Sequence, residues 1–315
     1  MSNSISIRPF KESDSEPVDA LLQDIWAHDP KMLMVYRIHR VWPPNSPRIQ
    51  VTRVATVDDT VCGVATLFES TLHPRMLWAA INVAPSWQRQ GVGTALYQAL
   101  EALGDGRPWM VRLTLRDYAG TAFLKQRGFY NPRSQSIMGV LDPGRVEVQR
   151  WLEGLPREVQ SYTFVPLHDA ASPATLEDVA RVQAAVYRQY HGWNPPVEES
   201  TQAALAHYCG PEVLAGSHLC VFEGEHLIGA ANLFRMAVGA ETNVAYLAHV
   251  GVVGPDCPHA HELTAALIRR SLEWAAAAGL RVRFEADKWY APHRALYLDA
   301  PVDEVDRDFA VFVNA

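Results

Sequence analysis

Apolar and polar positions along the chain fall into short runs that alternate with period two and longer runs spaced as on a helix. The two kinds follow one another in a recurring order. Ile5–Phe10 reads as a short strand, and Ser13 and Asp14 stand where they would cap a helix reaching about Trp26. A second helix is expected from about Pro30 to Val41, ended by Pro43-Pro44. Three strand-like segments come next: Ile49–Val57, Val61–Glu69 and Met76–Ala84. Asp58-Asp59 supplies a tight turn that makes the first two a hairpin. Gly91–Leu103 then carries Val92, Ala95, Leu96, Ala99 and Leu103 on one helical face. Trp109–Leu115 alternates as a strand, Tyr118–Arg127 is a helix stopped by Gly128, and Ser136–Leu141 is a strand that closes the first half.

Between Asp142 and Gln160 the character changes: Pro143, Gly144, Gly154 and Pro156 bracket a short polar helix, as in a linker. The earlier order then recurs. Ser161–Leu167 is a strand, Thr175–Tyr190 a helix, and Leu219–Phe222 with Leu227–Phe234 a hairpin around Gly224. Val244–Val253 is a strand, His261–Ala278 a helix, Arg281–Ala286 a strand, Pro292–Asp299 a short helix and Phe309–Val313 the last strand. A repeat of this size predicts a duplicated α/β (α+β) domain rather than a solenoid. The expected organisation is residues 1–142, a linker over 143–160, and residues 161–315. A length of 315 residues suits two domains. Pseudo-twofold packing of the halves in a monomer would follow.

Bulk composition narrows the function. Hydrophobic residues are 48% and charged residues 20% of the chain, so each half can bury a core. The formal net charge of −7 disfavours a nucleic-acid partner. Cys62, Cys209, Cys220 and Cys257 form no CxxC pair and suggest no disulfide framework. Met1–Arg8 lacks the basic-then-apolar pattern of a signal peptide, and no apolar run approaches the ~18 residues of a membrane span. The expectation is a cytoplasmic protein without a membrane partner.

The segment richest in chemistry runs from Ile81-Asn82-Val83-Ala84-Pro85 through Gln88-Arg89-Gln90-Gly91-Val92-Gly93-Thr94. A strand enters a turn that opens directly into a helix. The first helical turn presents backbone N–H groups with no internal partner, at the positive end of the dipole, and these bind phosphate. Gly91 and Gly93 remove side chains where a pyrophosphate would approach. Gln88 can add an amide donor, and Arg89 a charge that either reaches a phosphate or faces solvent. Two glycines alone would also suit an ordinary strand-to-helix turn. The segment resembles the acyl-CoA signature of the GNAT (GCN5-related N-acetyltransferase) family, Val-x-Pro followed by Arg/Gln-x-x-Gly-x-Gly/Ala, here Val83-Ala84-Pro85 and Gln88-Arg89-Gln90-Gly91-Val92-Gly93. The family's second signature, a helix ending in Gly-Phe, is matched by Ala122–Phe129.

The resemblance covers about residues 3–141. It implies a splayed mixed sheet, with acetyl-CoA's pantetheine arm lying like a strand beside Ile81 and Val83. Its pyrophosphate would rest on Gln88, Arg89, Gln90, Gly91, Val92, Gly93 and Thr94. It further implies attack of a primary amine, borne by a small-molecule acceptor, directly on the thioester, with the oxyanion held by a backbone N–H. Holding amine and thioester together would supply much of the rate. Two familiar helpers are missing. Leu124 stands where many members carry a Tyr acid, and Leu77 near where some carry a Glu base. Glu69, Asn82 and Tyr118 are the candidate catalytic groups, with His73 and Asp117 beside them. Glu69 reads equally as a solvated strand end, and Asp117 as an N-cap. The alternative function is a non-catalytic acyl-CoA sensor or partner-binding module.

In the second half the Gly-x-Gly is replaced by Glu262 and Thr264, although Tyr297 stands where the leaving-group Tyr would be. This half is expected to be a degenerate GNAT-like domain that no longer binds CoA. Cys257, His259 and His261 are too close together to surround one ion easily, so no metal is expected. Tyr187, Tyr190, His191, Trp193 and Asn194 either line an acceptor site or anchor a loop.

Overall fold

A computed structural model describes residues 4–27, 50–130, 132–169, 172–235, 243–254, 257–293 and 295–314. The helix expected over Pro30–Val41 lies outside the described residues, as does the Tyr297 side chain. By compactness the chain forms two units. The first is Met1–Leu113, Ala119–Asn131 and Val311–Ala315; the second is Thr114–Tyr118 and Pro132–Ala310.

The first unit carries β1 (Ser6–Pro9), α1 (Ser15–Ile25), β2 (Gln50–Val57), β3 (Thr60–Glu69), β4 (Leu77–Val83) and α2 (Val92–Glu101), then β5 (Trp109–Thr114) and most of α3 (Tyr118–Lys125). Its strands run β1-β2-β3-β4-β5. All pair antiparallel except β4 with β5. Asp58 and Asp59 both adopt positive φ, 47° and 63°, the primed turn that matches strand twist. Asp14 does not cap α1. Its carboxylate instead takes two bonds from the Arg8 guanidinium, at 2.6 and 2.7 Å, and one from the Lys11 N–H. A bidentate charged pair outcompetes a single capping bond.

Val18 and Leu22 of α1 pack on Val54, Val64 and Ala80 of the sheet. On α2, Val92, Leu96 and Leu100 are buried. That helix sits close because β3 carries Gly63 beneath it: a Cβ there would lie 2.9 Å from Leu96 Cδ1 and 3.1 Å from Val92 Cγ1.

The second unit carries β6 (Pro132–Leu141), α4 (Val146–Gly154), β7 (Tyr162–Pro166), α5 (Leu176–Tyr190), α6 (Thr201–Tyr208), β8 (Leu219–Glu223) and β9 (His226–Arg235). It continues through β10 (Val244–Val252), α7 (Ala260–Ala277) and β11 (Arg281–Asp287). A 3-10 turn at Ala291–His293 and a π-helical turn at Ala295–Asp299 precede β12 (Glu304–Val313), whose last residues count with the first unit. Its sheet runs β6-β11-β10-β9-β8-β7, with β10 and β11 parallel.

Three local features differ from the sequence pattern. Ser136–Leu141, the end of the first half by pattern, pairs with β11 in the register Val282↔Leu141 to Asp287↔Ser136. Strand partners are fixed by long-range packing that a local pattern does not carry. The short helix expected within the linker-like segment is α4, but it buries Val148 and Leu152 in the second unit's core rather than standing apart as a linker. The pattern gives no sign of α6, because Ala203-Ala204-Leu205-Ala206 is one continuous apolar run rather than a stripe. Ser200 caps it, its hydroxyl accepting the Ala203 N–H at 3.2 Å. The chain is thus an α/β (α+β) protein of mostly antiparallel sheet flanked by helices. No described helix is long and apolar enough to cross a membrane.

Candidate active site

β4 and β5 pair only where they begin. Leu77 N–H donates to Pro108 O at 3.0 Å, and the register holds for Leu77↔Trp109 and Trp78↔Met110 alone. On its other side β4 pairs with β3 along its whole length. Ala84 N–H donates to Cys62 O at 3.0 Å. In an antiparallel ladder the hydrogen-bonded residues alternate, so Ala80 and Asn82 face β3 while Ile81 and Val83 face the other edge. Ile81 therefore presents its N–H and C=O where, among the described residues, no strand lies. Val83 O accepts a 3.2 Å bond from the Gln88 side-chain amide.

The turn that follows is built to expose N–H groups. Pro85–Trp87 forms a single 3-10 turn, Arg89 adopts φ 62° and Gly91 φ 90°, and α2 begins. The first bond into the helix runs from Ala95 N–H to Gly91 O at 2.9 Å, so the N–H groups of Val92, Gly93 and Thr94 precede it. The two glycines serve different ends. Gly91 has the left-handed φ, and a Cβ there would meet nothing within 4 Å, so its open side is available to a ligand. Gly93 is a packing glycine: its Cβ would sit 3.3 Å from the Phe123 ring and 3.7 Å from Val83 Cγ2. Gln88 and Gln90 spend amide N–H groups on Val83 O and Ser86 O, bracing the turn. Arg89 is exposed.

Arg127 is a residue that sequence reasoning missed. Its guanidinium donates to Thr94 Oγ1 at 2.8 Å and to Phe123 O at 2.9 Å, and lies 3.6 Å from the Phe123 ring centre. Burial pulls its pKa down. It thereby holds a cation beside the first turn of α2. Its position before Gly128-Phe129 was visible in the sequence, but Thr94 is 33 residues away.

The catalytic candidates are not brought to one point. Glu69 is buried at the end of β3, where Arg107 Nη1 meets its carboxylate at 2.9 Å. The same guanidinium holds Asp105 at 2.6 Å and donates to Pro74 O. Asn82 is buried, and its Oδ1 accepts from Trp26 Nε1 at 3.2 Å. Glu69 is in register with Leu77, five residues up β4 from Asn82, so the two stand roughly 17 Å apart along the strands. Tyr118 opens α3, is 80% exposed and counts with the second unit. Leu77 and Leu124 are core residues, 1% and 4% exposed. His73 is buried, its N–H donating to Ser70 Oγ.

In the second unit the corresponding edge is filled from within. β10 pairs with β11 over Val244–Leu247 only, and a bulge follows at His249, whose φ is 53°. Beyond it, Val253 N–H donates to Ile228 O on the β9 side, so Val250, Val252 and Gly254 face the other edge. There Tyr190 Oη–H donates to Val250 O, and His293 Nε2 lies 3.3 Å from the same oxygen. Gln189 donates to Val252 O at 2.9 Å and accepts the Gly254 N–H at 2.7 Å. Glu262 is exposed in the first turn of α7, and Thr264 is buried. Tyr187 packs among His191, His207, Tyr208 and His249. Among the described residues no group of three or more His, Cys, Asp or Glu side chains is arranged to hold a metal.

Residues 46–131 match the family model "Acetyltransferase (GNAT) domain". Comparison with curated proteins gives no match. Among solved structures, the whole chain resembles a GCN5-related N-acetyltransferase from Sphaerobacter thermophilus at 15% identity and TM-score 0.59, covering 98% of this chain and 95% of that one. It resembles a tandem GNAT protein from the clavulanic acid biosynthesis pathway at 16% identity and TM-score 0.58, covering 99% and 98%. A glucosamine N-acetyltransferase region of a fungal multi-domain GH3 beta-N-acetylglucosaminidase matches at 14% identity and TM-score 0.58, where this chain spans 38% of the longer protein. Residues 46–131 thus carry a match to the GNAT domain, and the whole chain shares its fold with a tandem GNAT protein. GNAT enzymes transfer an acyl group from acyl-CoA to an amine.

Proposed function

We propose that residues 1–142 bind acetyl-CoA and pass its acetyl group to the primary amine of a small molecule by direct attack. The observation that carries this reading is the Ile81 edge of β4, which no strand pairs among the described residues, running straight into the Gly91 turn. The pantetheine arm would pair along Ile81 and Val83. The pyrophosphate would rest on the backbone of Gln88–Thr94. The amine nitrogen attacks the thioester carbonyl carbon; the C–N bond forms, the C–S bond breaks, the amine proton passes to water and the thiolate leaves. The oxyanion would take a backbone N–H on the open edge. Asn82, the neighbour of Ile81 in β4, is the first candidate to meet the amine, with Glu69 and Tyr118 after it. Residues 161–315 act as the degenerate half and bind no CoA, a reading supported by the side chains that already cap Val250 and Val252.

A second reading, an acyl-CoA sensor without turnover, is favoured by the apolar Leu77 and Leu124 and by the ion pair that occupies Glu69. Calorimetric titration with acetyl-CoA, followed by thiol release with a panel of small amines, tests both. One site with turnover is expected. One site without turnover selects the sensor, and absence of binding overturns both.

A further inference from the structure

The second unit contains a cavity of about 200 Å³ between α5, α6 and the 196–199 segment. That is smaller than the ~300–1,000 Å³ of drug-sized pockets, so it selects a small ligand. Its wall carries both signs of charge: Glu198 and Glu199 from the 196–199 segment, and Arg181 and Arg188 from α5, which also contributes Glu177 near its start. Ala184 and Ala204 leave the space between the helices. Tyr208 also lines the cavity. The residue is wholly buried, and its hydroxyl makes no close hydrogen bond, with the Glu199 carboxylate near enough to interact with it. A buried phenol beside a carboxylate leaves both groups able to take a further hydrogen-bonding partner from a ligand. Burial first, and the Glu199 carboxylate after it, push the phenol's pKa up and keep it protonated. The Glu199 side chain is 14% exposed, and the His207 ring meets it only at 3.3 Å.

We propose that this cavity binds a small zwitterion of the α-amino-acid class, its ammonium held by Glu199 and the Tyr208 oxygen and its carboxylate by Arg188. A simple cation would meet the guanidinium groups, and a simple anion the glutamates. A molecule with both charges a few bonds apart satisfies the two walls together. Arg181 is drawn toward Asp178, at 3.1 Å, which leaves Arg188 as the principal anion partner.

The test is calorimetric titration of the full chain with L-alanine, with n-propylamine and propionate as single-charge controls. Saturable binding of alanine is expected, with each control at least about tenfold weaker. Glu199→Gln and Arg188→Gln should each weaken alanine binding by about tenfold and leave the acetyl-CoA titration unchanged. Arg188 is exposed, so its substitution leaves the fold in place. Absence of saturable alanine binding, propylamine binding as tightly as alanine, or wild-type affinity in both variants would overturn the assignment.

Discussion

Gly91→Ala isolates the conformational demand of the phosphate turn. Gly91 sits at φ 90°, ψ −9°, and a Cβ there meets no heavy atom within 4 Å. The substitution adds no clash, so its whole cost is the left-handed backbone, about 1–2 kcal/mol. If the turn holds, the first unit loses that much stability. If the turn relaxes, the N–H groups of residues 91–94 swing out of alignment. Each hydrogen bond lost to a charged oxygen is worth about 1.5–3 kcal/mol, or about 10- to 150-fold in Kd. Gly93→Ala is the control. Its Cβ would press the Phe123 ring at 3.3 Å, and helix propensity returns up to about 1 kcal/mol, so the two effects nearly offset. Urea unfolding and calorimetry with acetyl-CoA read the two quantities separately. The expected result for Gly91→Ala is at least a tenfold loss of affinity. Reduced stability with wild-type affinity would refute the use of this turn for phosphate.

Other consequences follow from the ion pair and the buried histidines. Glu69→Gln should lower stability by about 1–3 kcal/mol, because it strips Arg107 of a buried partner, and should leave kcat/KM within about tenfold. A loss of about 10² or more with stability retained would instead make Glu69 the general base. His293 is 5% exposed, and burial pulls its pKa down to about 4; burial pulls His249 down to about 3. The unfolded chain binds these protons near pH ~6.5, so it holds more of them than the native state below that value. Stability is therefore full above about pH 6.5 and falls as pH drops toward the folded values, by up to ~1.4 kcal/mol per pH unit for His293 and by less for the partly exposed His249. Denaturant unfolding across that window checks this, and a flat profile would contradict it.

What the sequence reveals is what one segment can encode. Alternation marked the strands, Asp58-Asp59 the hairpin, and the Gly91-x-Gly93 spacing the strand-to-helix turn, because each is local. It did not distinguish the left-handed glycine from the packing glycine, since that depends on Phe123 arriving from another helix. Gly63 under Leu96, Arg127 on Thr94 and Arg107 on Glu69 are likewise meetings of distant segments. Glu69 looked free for catalysis only because the guanidinium that occupies it lies 38 positions later in the chain.

The same limit applies to the second half, where the missing glycines carried the expectation of a degenerate domain. If they were the cause, Glu262→Gly with Thr264→Gly would restore a second acetyl-CoA site. The edge geometry predicts otherwise. The bulge at His249 turns Val250, Val252 and Gly254 toward the side where β11 has diverged. An edge left unpaired there would carry polar backbone without partners, at about 1–3 kcal/mol for each buried group. Tyr190, His293 and Gln189 supply those partners from within the unit. A pantetheine arm would have to displace all of them before making its own bonds. Ile81 in the first unit makes no such demand, because among the described residues no strand pairs with its edge. The double glycine variant should therefore titrate with acetyl-CoA at one site per chain, like the wild type. A second site would show that the turn, and not the filled strand edge, had closed this half to the cofactor.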